Sequence, residues 1–225
     1  MALATMRTDA QIKTDVLNEL EWDSRVDETE VGVQVKDGVV TLAGHVPAYT
    51  KKLAAIQAAH RVHAVLDVVS ELEVKSPAFW KRSDQDVAKA VRHALQLDVL
   101  VPEQRITSTI TDGVVALRGK VDSWAQRQDA EGAIHRLAGI KGVINQITVE
   151  PKVGDATTIK HKIEEALERQ AEREAKRVSV KVNDGVVLLT GTVRSWGERR
   201  AIEGAAGFAS GVRRIDNRTT VDPCS

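Results

Sequence analysis

The sequence predicts an α+β protein of three tandem α-β-β-α-β domains, each with two helices packed on one face of a three-stranded mixed sheet. Three observations predict it. The decamer "DGVVTLAGHV" at 37–46 returns as "DGVVALRGKV" at 112–121 and as "DGVVLLTGTV" at 184–193. An apolar stripe spaced i, i+4, i+8 precedes each copy. Between stripe and decamer runs a segment with period 2. The decamers are offset by 75 and 72 residues, and those offsets align the rest of the chain. A unit of about 70 residues is long for a solenoid repeat and close to the smallest that holds its own core. The expected domains are 8–74, 83–150 and 155–221.

Each unit opens on a helix. Its stripe is Ile12, Val16 and Leu20, then Val87, Val91 and Leu95, then Ile159, Ile163 and Leu167, one face of a 3.6-residue period. Thr8, Ser83 and Asp155 precede the helices as N-caps. A strand follows, with Val31, Val33 and Val35, then Ile106, Ser108 and Ile110, then Val178, Val180 and Val182 on one face. Asp37-Gly38, Asp112-Gly113 and Asp184-Gly185 favour the positive φ angles of a type I′ hairpin. The next strand buries Val40, Leu42, Gly44 and Val46 and their counterparts, and its glycine is expected to admit the close approach of a helix. Ser123 with Gln126, and Ser195 with Glu198, carry capping-box spacing for a second helix. Pro47 and Ala48 replace that cap in the first unit. The closing strands are "VVSELEV", "VINQITV" and "IDNRTTV". The second helix joins neighbouring parallel strands by a right-handed crossover. In the linker "KSPAFWKR", Phe79 and Trp80 either fill a seam between the first two units or cover the edge of one.

Composition narrows the function classes. Aromatic residues are 3% of the chain, so the cores must be aliphatic. The formal net charge is zero, which argues against a general nucleic-acid binder. Lys and Arg number 8 against 12 Asp and Glu in residues 1–75, 10 against 9 in 76–150, and 14 against 11 in 151–225. The last third is therefore the place for an anionic partner. Cys224 is the single cysteine, so no intramolecular disulfide forms. The chain shows no signal peptide and no apolar run long enough to span a bilayer. A cytoplasmic location is the expectation, or a periplasmic one if a signal sequence was removed.

The pattern "V-x-V-x-DGVV-x-L-x-G-x-V", the capped helix after it, and "GV-x-x-I-x-N" at 211–217 resemble the BON domain (bacterial OsmY and nodulation). The third unit fits most closely. The second carries Gly139, Ile140, Val143 and Asn145 in the same places, and the first departs with Ala64, Val65 and Ser70. The resemblance implies a non-catalytic module without cofactors, linked to osmotic and envelope stress, that binds phospholipid surfaces or protein partners. A multi-domain scaffold with no lipid binding is the alternative.

Candidate residues sort by recurrence. Arg194, Arg199, Arg200, Arg213, Arg214 and Arg218 surround the second helix and last strand of unit three with few acidic neighbours, and are the expected anionic contact. The first helix of that unit interleaves Lys160, Lys162, Arg169, Arg173, Lys176 and Arg177 with Glu164, Glu165, Glu168, Glu172 and Glu174. That spacing marks a solvated, self-paired helix. Trp124 and Trp196 open second helices and are expected over the sheet edge rather than in a lipid interface. His60 and His63, with Asp67 near, have the look of a metal pair, yet the spacing is weak and surface histidines are the expected reading. Asp37, Asp112 and Asp184 are explained by their turns. Asn145 and Asn217 are expected to bond backbone near the last strand.

Overall fold

The computed structural model describes residues 7–151, 156–170 and 177–222. The first repeat runs α1 (Asp9–Trp22), β1 (Val31–Lys36), β2 (Val39–Val46), α2 (Tyr49–Arg61) and β3 (Asp67–Val74). The second runs α3 (Asp84–Leu97), β4 (Ile106–Thr111), β5 (Val114–Val121), α4 (Trp124–Ile134) and β6 (Gly142–Val149). The third runs α5 (Ala156–Gln170), β7 (Val178–Asn183), β8 (Val186–Val193), α6 (Trp196–Gly207) and β9 (Arg214–Val221). The chain divides into two compact units. One comprises Met1–Lys81, Arg194–Glu198 and Val221–Ser225, the other Arg82–Val193 and Arg199–Thr220.

The decamer supplies the middle strand of every sheet. The orders are β1-β2-β3, β4-β5-β6 and β7-β8-β9. β1 meets β2 antiparallel from Val31↔Gly44 to Lys36↔Val39, and β2 meets β3 parallel from Val39↔Asp67 to Val46↔Val74. The second repeat repeats this pattern with Ile106↔Gly119 and Val114↔Gly142. Each sheet is thus mixed and the class is α+β, as the pattern of elements predicts. Asp37, Asp112 and Asp184 have φ of 51°, 50° and 45°, and the glycines after them 75°, 78° and 72°. Two successive positive φ angles are the type I′ geometry that Asp-Gly favours.

Burial follows the stripes. Ile12, Val16 and Leu20 are buried against Val40, Leu42, Ala55 and Ala58 in the first repeat. Val87, Val91 and Leu95, and Ile159, Ile163 and Leu167, are buried in the same way in the other two. The largest fully buried side chains are all Leu, Ile and Val, the aliphatic core that the scarcity of aromatics requires. Thr8 and Ser83 cap α1 and α3 through Gln11 N and Asp86 N. Asp155 lies outside the described residues. Ser123 and Ser195 cap α4 and α6 by accepting from Gln126 N and Glu198 N. The return bonds reach one residue further back than in a standard box: Asp122 N donates to Gln126 Oε1 at 2.9 Å, and Arg194 N to Glu198 Oε2 at 2.6 Å. α2 starts behind Ala48 with no side-chain cap.

One expectation needs correcting. The decamer's second glycine does not make room for an α-helix. A Cβ on Gly44 would lie 2.1 Å from the carbonyl oxygen of Glu30, and one on Gly119 2.1 Å from that of Arg105. Those carbonyls end one-turn 3-10 helices, Glu28–Glu30 and Glu103–Arg105, that feed β1 and β4. The glycines sit at φ 126° and 146°, where a side chain is also conformationally costly. In the linker, Phe79 is 69% exposed, and the side chain of Trp80 lies outside the described residues.

Candidate binding surface

The second helix of each repeat is tied to the last strand by a cation. Lys52 Nζ donates to Leu72 O at 2.8 Å. Arg127 donates from Nε to Ile147 O at 3.2 Å and from Nη2 to Asn145 O at 2.9 Å. Arg199 does the same to Thr219 O at 3.3 Å and Asn217 O at 2.7 Å. In the last two repeats an asparagine completes the tie. Asn145 Nδ2 donates to Arg127 O at 2.9 Å and Glu131 Oε2 at 3.0 Å, and its Oδ1 accepts from Ile147 N at 3.1 Å. Asn217 Nδ2 reaches Arg199 O at 3.4 Å and Glu203 Oε2 at 3.2 Å, while its Oδ1 accepts from Thr219. The asparagines therefore bond backbone as expected, and they also bridge to a helix. A hydrogen bond to His135 leads the causes that lower the Glu131 pKa against the upward push of burial, with Asn145 adding to it. Arg199 holds the scaffold, a task that composition alone did not reveal.

The remaining candidate arginines face water. Arg194, Arg200, Arg213, Arg214 and Arg218 are exposed. Arg213 Nη1 lies 3.3 Å from Asp184 Oδ2. Arg218 donates from both Nε and Nη2 to Asp216, at 3.0 and 2.7 Å, and this bond is the first cause of a lowered Asp216 pKa. Arg214 is exposed at the first residue of β9. Within the second compact unit, the exposed candidate arginines of the third repeat are Arg200 on α6, Arg213 just before β9, and Arg214 and Arg218 on β9. Exposed pairs such as these leave both partners available to a stronger ligand.

The hairpin turns carry an anchor that the sequence reading missed. Asp9 Oδ2 and Oδ1 accept from Asp37 N at 2.9 Å and Gly38 N at 3.0 Å. Asp84 accepts from Asp112 N and Gly113 N, both at 2.9 Å. One carboxylate in the first turn of the helix grips both turn amides. The sequence signal was an Asp directly after the N-cap in two of three repeats. In the third, Ala156 stands there.

The aromatic residues also depart from expectation. Within the first compact unit the Trp196 ring stacks on His60, with centroids 4.4 Å apart and 23° between planes. Within the second, Trp124 lies so close to Gly207 that a Cβ there would be 2.3 Å from its Cδ1. Arg127 sits over the other side of Trp124, 4.8 Å from the centroid. Both indoles therefore pack on helix ends, not on a sheet edge. His60 is engaged by that ring. Among the described residues no three His, Cys, Asp or Glu side chains are grouped to hold a metal ion. On α5, Lys160 pairs with Glu164 at 3.6 Å and His161 with Glu165 at 3.2 Å, the self-pairing that i, i+4 spacing predicts. Arg173, Lys176, Glu172 and Glu174 lie outside the described residues. Among those residues no helix is long and apolar enough to cross a membrane.

Comparison with known proteins bears on this arrangement. The family model of the BON domain matches three times, at residues 8–76, 83–151 and 155–223. The osmotically-inducible protein Y of Escherichia coli (strain K12) is 29% identical over 143 residues, covering 62% of this chain and 71% of that protein. Among solved structures, the C-terminal domain of CdsD, the structural protein of the type III secretion system of Chlamydia trachomatis, aligns over 96% of this chain and 100% of its own. The identity is 13% and the TM-score 0.27, a value that supports no further comparison.

Proposed function

The chain belongs to the BON domain family, in three tandem copies, and from that premise we propose that it is a non-enzymatic, osmotic-stress-associated protein that binds anionic phospholipid surfaces. The similarity to an osmotically-inducible protein supports the stress association. One observation carries the lipid reading: Arg200 on α6, Arg213 just before β9, and Arg214 and Arg218 on β9 are exposed in the most basic third of the chain. Guanidinium groups suit phosphate because they are planar, weakly hydrated and donate in pairs. Such binding is electrostatic and weakens with salt. Arg199 is left out of this surface because it holds β9. Sedimentation with vesicles of phosphatidylglycerol or phosphatidylcholine tests the reading. The expected result is binding to the first alone, at least tenfold weaker at high salt and after joint replacement of Arg200, Arg213 and Arg214 by Ala. Equal sedimentation with both lipids, or none with either, overturns it.

A second reading rests on a different feature. Leu97, the last residue of α3, and Val99 and Leu100 after it are 68%, 96% and 62% exposed. An apolar tip of this kind favours a protein contact, and with it a multi-domain scaffold that binds no lipid. Retention of partner capture by a chain that ignores vesicles, and its loss on Val99→Ser with Leu100→Ser, is the result that supports it.

A further inference from the structure

We infer that the open sheet face of the first repeat binds the open sheet face of the third repeat in a second copy of this chain, so that copies join head to tail. Alternation along the last strand of each repeat separates an inner from an outer face. In β3, Leu72 and Val74 are buried, while Asp67, Val69, Glu71 and Glu73 are exposed on the opposite side. In β9, Asn217 bonds α6 and Thr219 is buried. Arg214, Asp216, Arg218 and Thr220 therefore share the outer face.

The same two positions of that strand carry opposite charge in the two repeats. Its first and fifth residues are Asp67 and Glu71 in the first repeat, Gly142 and Gln146 in the second, and Arg214 and Arg218 in the third. All four charged side chains are exposed. Four residues of strand span about 13 Å. Two carboxylates on one copy therefore meet two guanidinium groups on another at matched spacing, whichever way the strands run. Glu71 and Arg214 form no ion pair with another described residue, whereas Arg218 also holds Asp216 at 2.7 Å, so Glu71 and Arg214 carry more of the contact. Val69 on β3 and Val186 at the start of β8 are exposed beside these charges and add apolar area. The second repeat has cations on its middle strand instead. Arg118 donates to Gln146 at 2.7 Å and Lys120 pairs with Glu150 at 2.7 Å. A formal net charge of zero leaves no overall repulsion between copies. A copy bound through one face keeps its other face free, so the contact is heterologous and extends into chains. Arg214 and Arg218 are shared with the lipid-facing surface, but association of copies does not depend on that surface binding lipid.

Sedimentation velocity of the full chain, without lipid, tests the contact. At about 20 mM salt, where screening reaches only beyond about 20 Å, the weight-average sedimentation coefficient is expected to rise with protein between about 0.1 and 1 mM, the range of a weak interface. At about 0.5 M salt the rise should vanish. Glu71→Arg and Arg214→Glu should each weaken association severalfold. Asp67→Arg with Glu71→Arg, and Arg214→Glu with Arg218→Glu, should each abolish it. An equimolar mixture of these two double variants should restore it, because every basic face then finds an acidic one. Arg118→Glu should change association by less than about twofold, since it lies outside the matched pairs. The inference is overturned by a wild-type coefficient that ignores concentration, or by association that survives either double reversal. Loss in Arg118→Glu as large as in Arg214→Glu also overturns it, as does a mixture that fails to recover when amide spectra show both double variants folded. The reversal on β3 touches no arginine of the lipid-facing surface, so the two readings fail separately.

Discussion

The first and second repeats build the same five elements, yet they close the joint between second helix and last strand with different chemistry. In the second, Arg127, Glu131 and Asn145 form a network that pairs side chains with the backbone of both elements. The equivalent residues of the first are Lys52, Ile56 and Ser70. Lys52 keeps one bond to the strand, and Ser70 Oγ is buried without a partner among the described residues. The first repeat instead gathers its polar residues at the other end of the helix. Asp23, 7% exposed, accepts from Arg25 Nε and Nη2 at 2.9 and 2.7 Å and from Arg61 Nη2 at 2.8 Å, while Arg61 Nε meets Glu19 at 2.5 Å. A joint held by apolar burial tolerates exchange of its polar tie. In the first repeat the joint even tolerates one buried hydroxyl, Ser70 Oγ, with no partner among the described residues.

The largest contrast is expected from deleting the asparagine. Asn145→Leu removes the partner of Ile147 N, Arg127 O and Glu131 at once, and should cost the second repeat about 2–3 kcal/mol, the penalty of leaving buried polar groups unmet. Ser70→Ala deletes a hydroxyl that bonds nothing described and should change the first repeat by less than about 0.5 kcal/mol. Amide hydrogen exchange in β6 and β3 reads the two repeats separately. Equal losses in both would erase the comparison.

A smaller effect belongs to the first repeat alone. Hydrogen bonds from Arg25 and then Arg61 hold the Asp23 carboxyl well below the usual carboxylate range, against the opposing push of burial. A folded pKa lower than the unfolded value of about 3.9 stabilises the fold fully above that pH. The contribution then drains away as acid titrates from about pH 4 down through the folded pKa. Asp23→Asn should remove it at neutral pH, at about 1–2 kcal/mol once the partial exposure of both arginines is allowed for. The variant should also flatten the acid dependence of exchange in β1–β3. An unchanged acid profile in Asp23→Asn would show that other carboxylates govern it.

These contrasts mark how far the sequence could be read. The stripes, the alternating strands and the Asp-Gly turns were legible because each depends on residues within one element, and their periods survive all three copies. The ties between elements were not. Arg199 looked like its exposed neighbours Arg200 and Arg214, since nothing local says that its guanidinium reaches the carbonyls of Asn217 and Thr219. Trp124 and Trp196 were placed over a sheet edge because the helices on which they pack lie far away in sequence. The turn anchor at Asp9 and Asp84 was hidden for another reason. An Asp after an N-cap is already explained by the helix dipole, so its second task left no separate trace.

The smallest expected effect probes a departure that was visible from the start. Where the second and third repeats have Gly139 and Gly211 at φ 90° and 97°, the first has Ala64 at 70°. An alanine in the left-handed region carries a cost of about 1–2 kcal/mol that glycine does not. The first repeat bears it because the alanine Cβ fits, whereas the same atom on Gly139 would lie 2.8 Å from Val87 Cγ2 and 2.9 Å from Arg82 Cβ. Ala64→Gly relieves the conformational cost but loosens the unfolded chain by about 0.4–1 kcal/mol. The net gain should be about 0.5 kcal/mol, confined to the first repeat and visible as slower exchange in β3. Loss of stability instead would mean that the Ala64 methyl group, packed against the core of that repeat, matters more than its backbone strain. The first repeat would then differ from its siblings by design of its packing rather than by relaxed constraint on its turn.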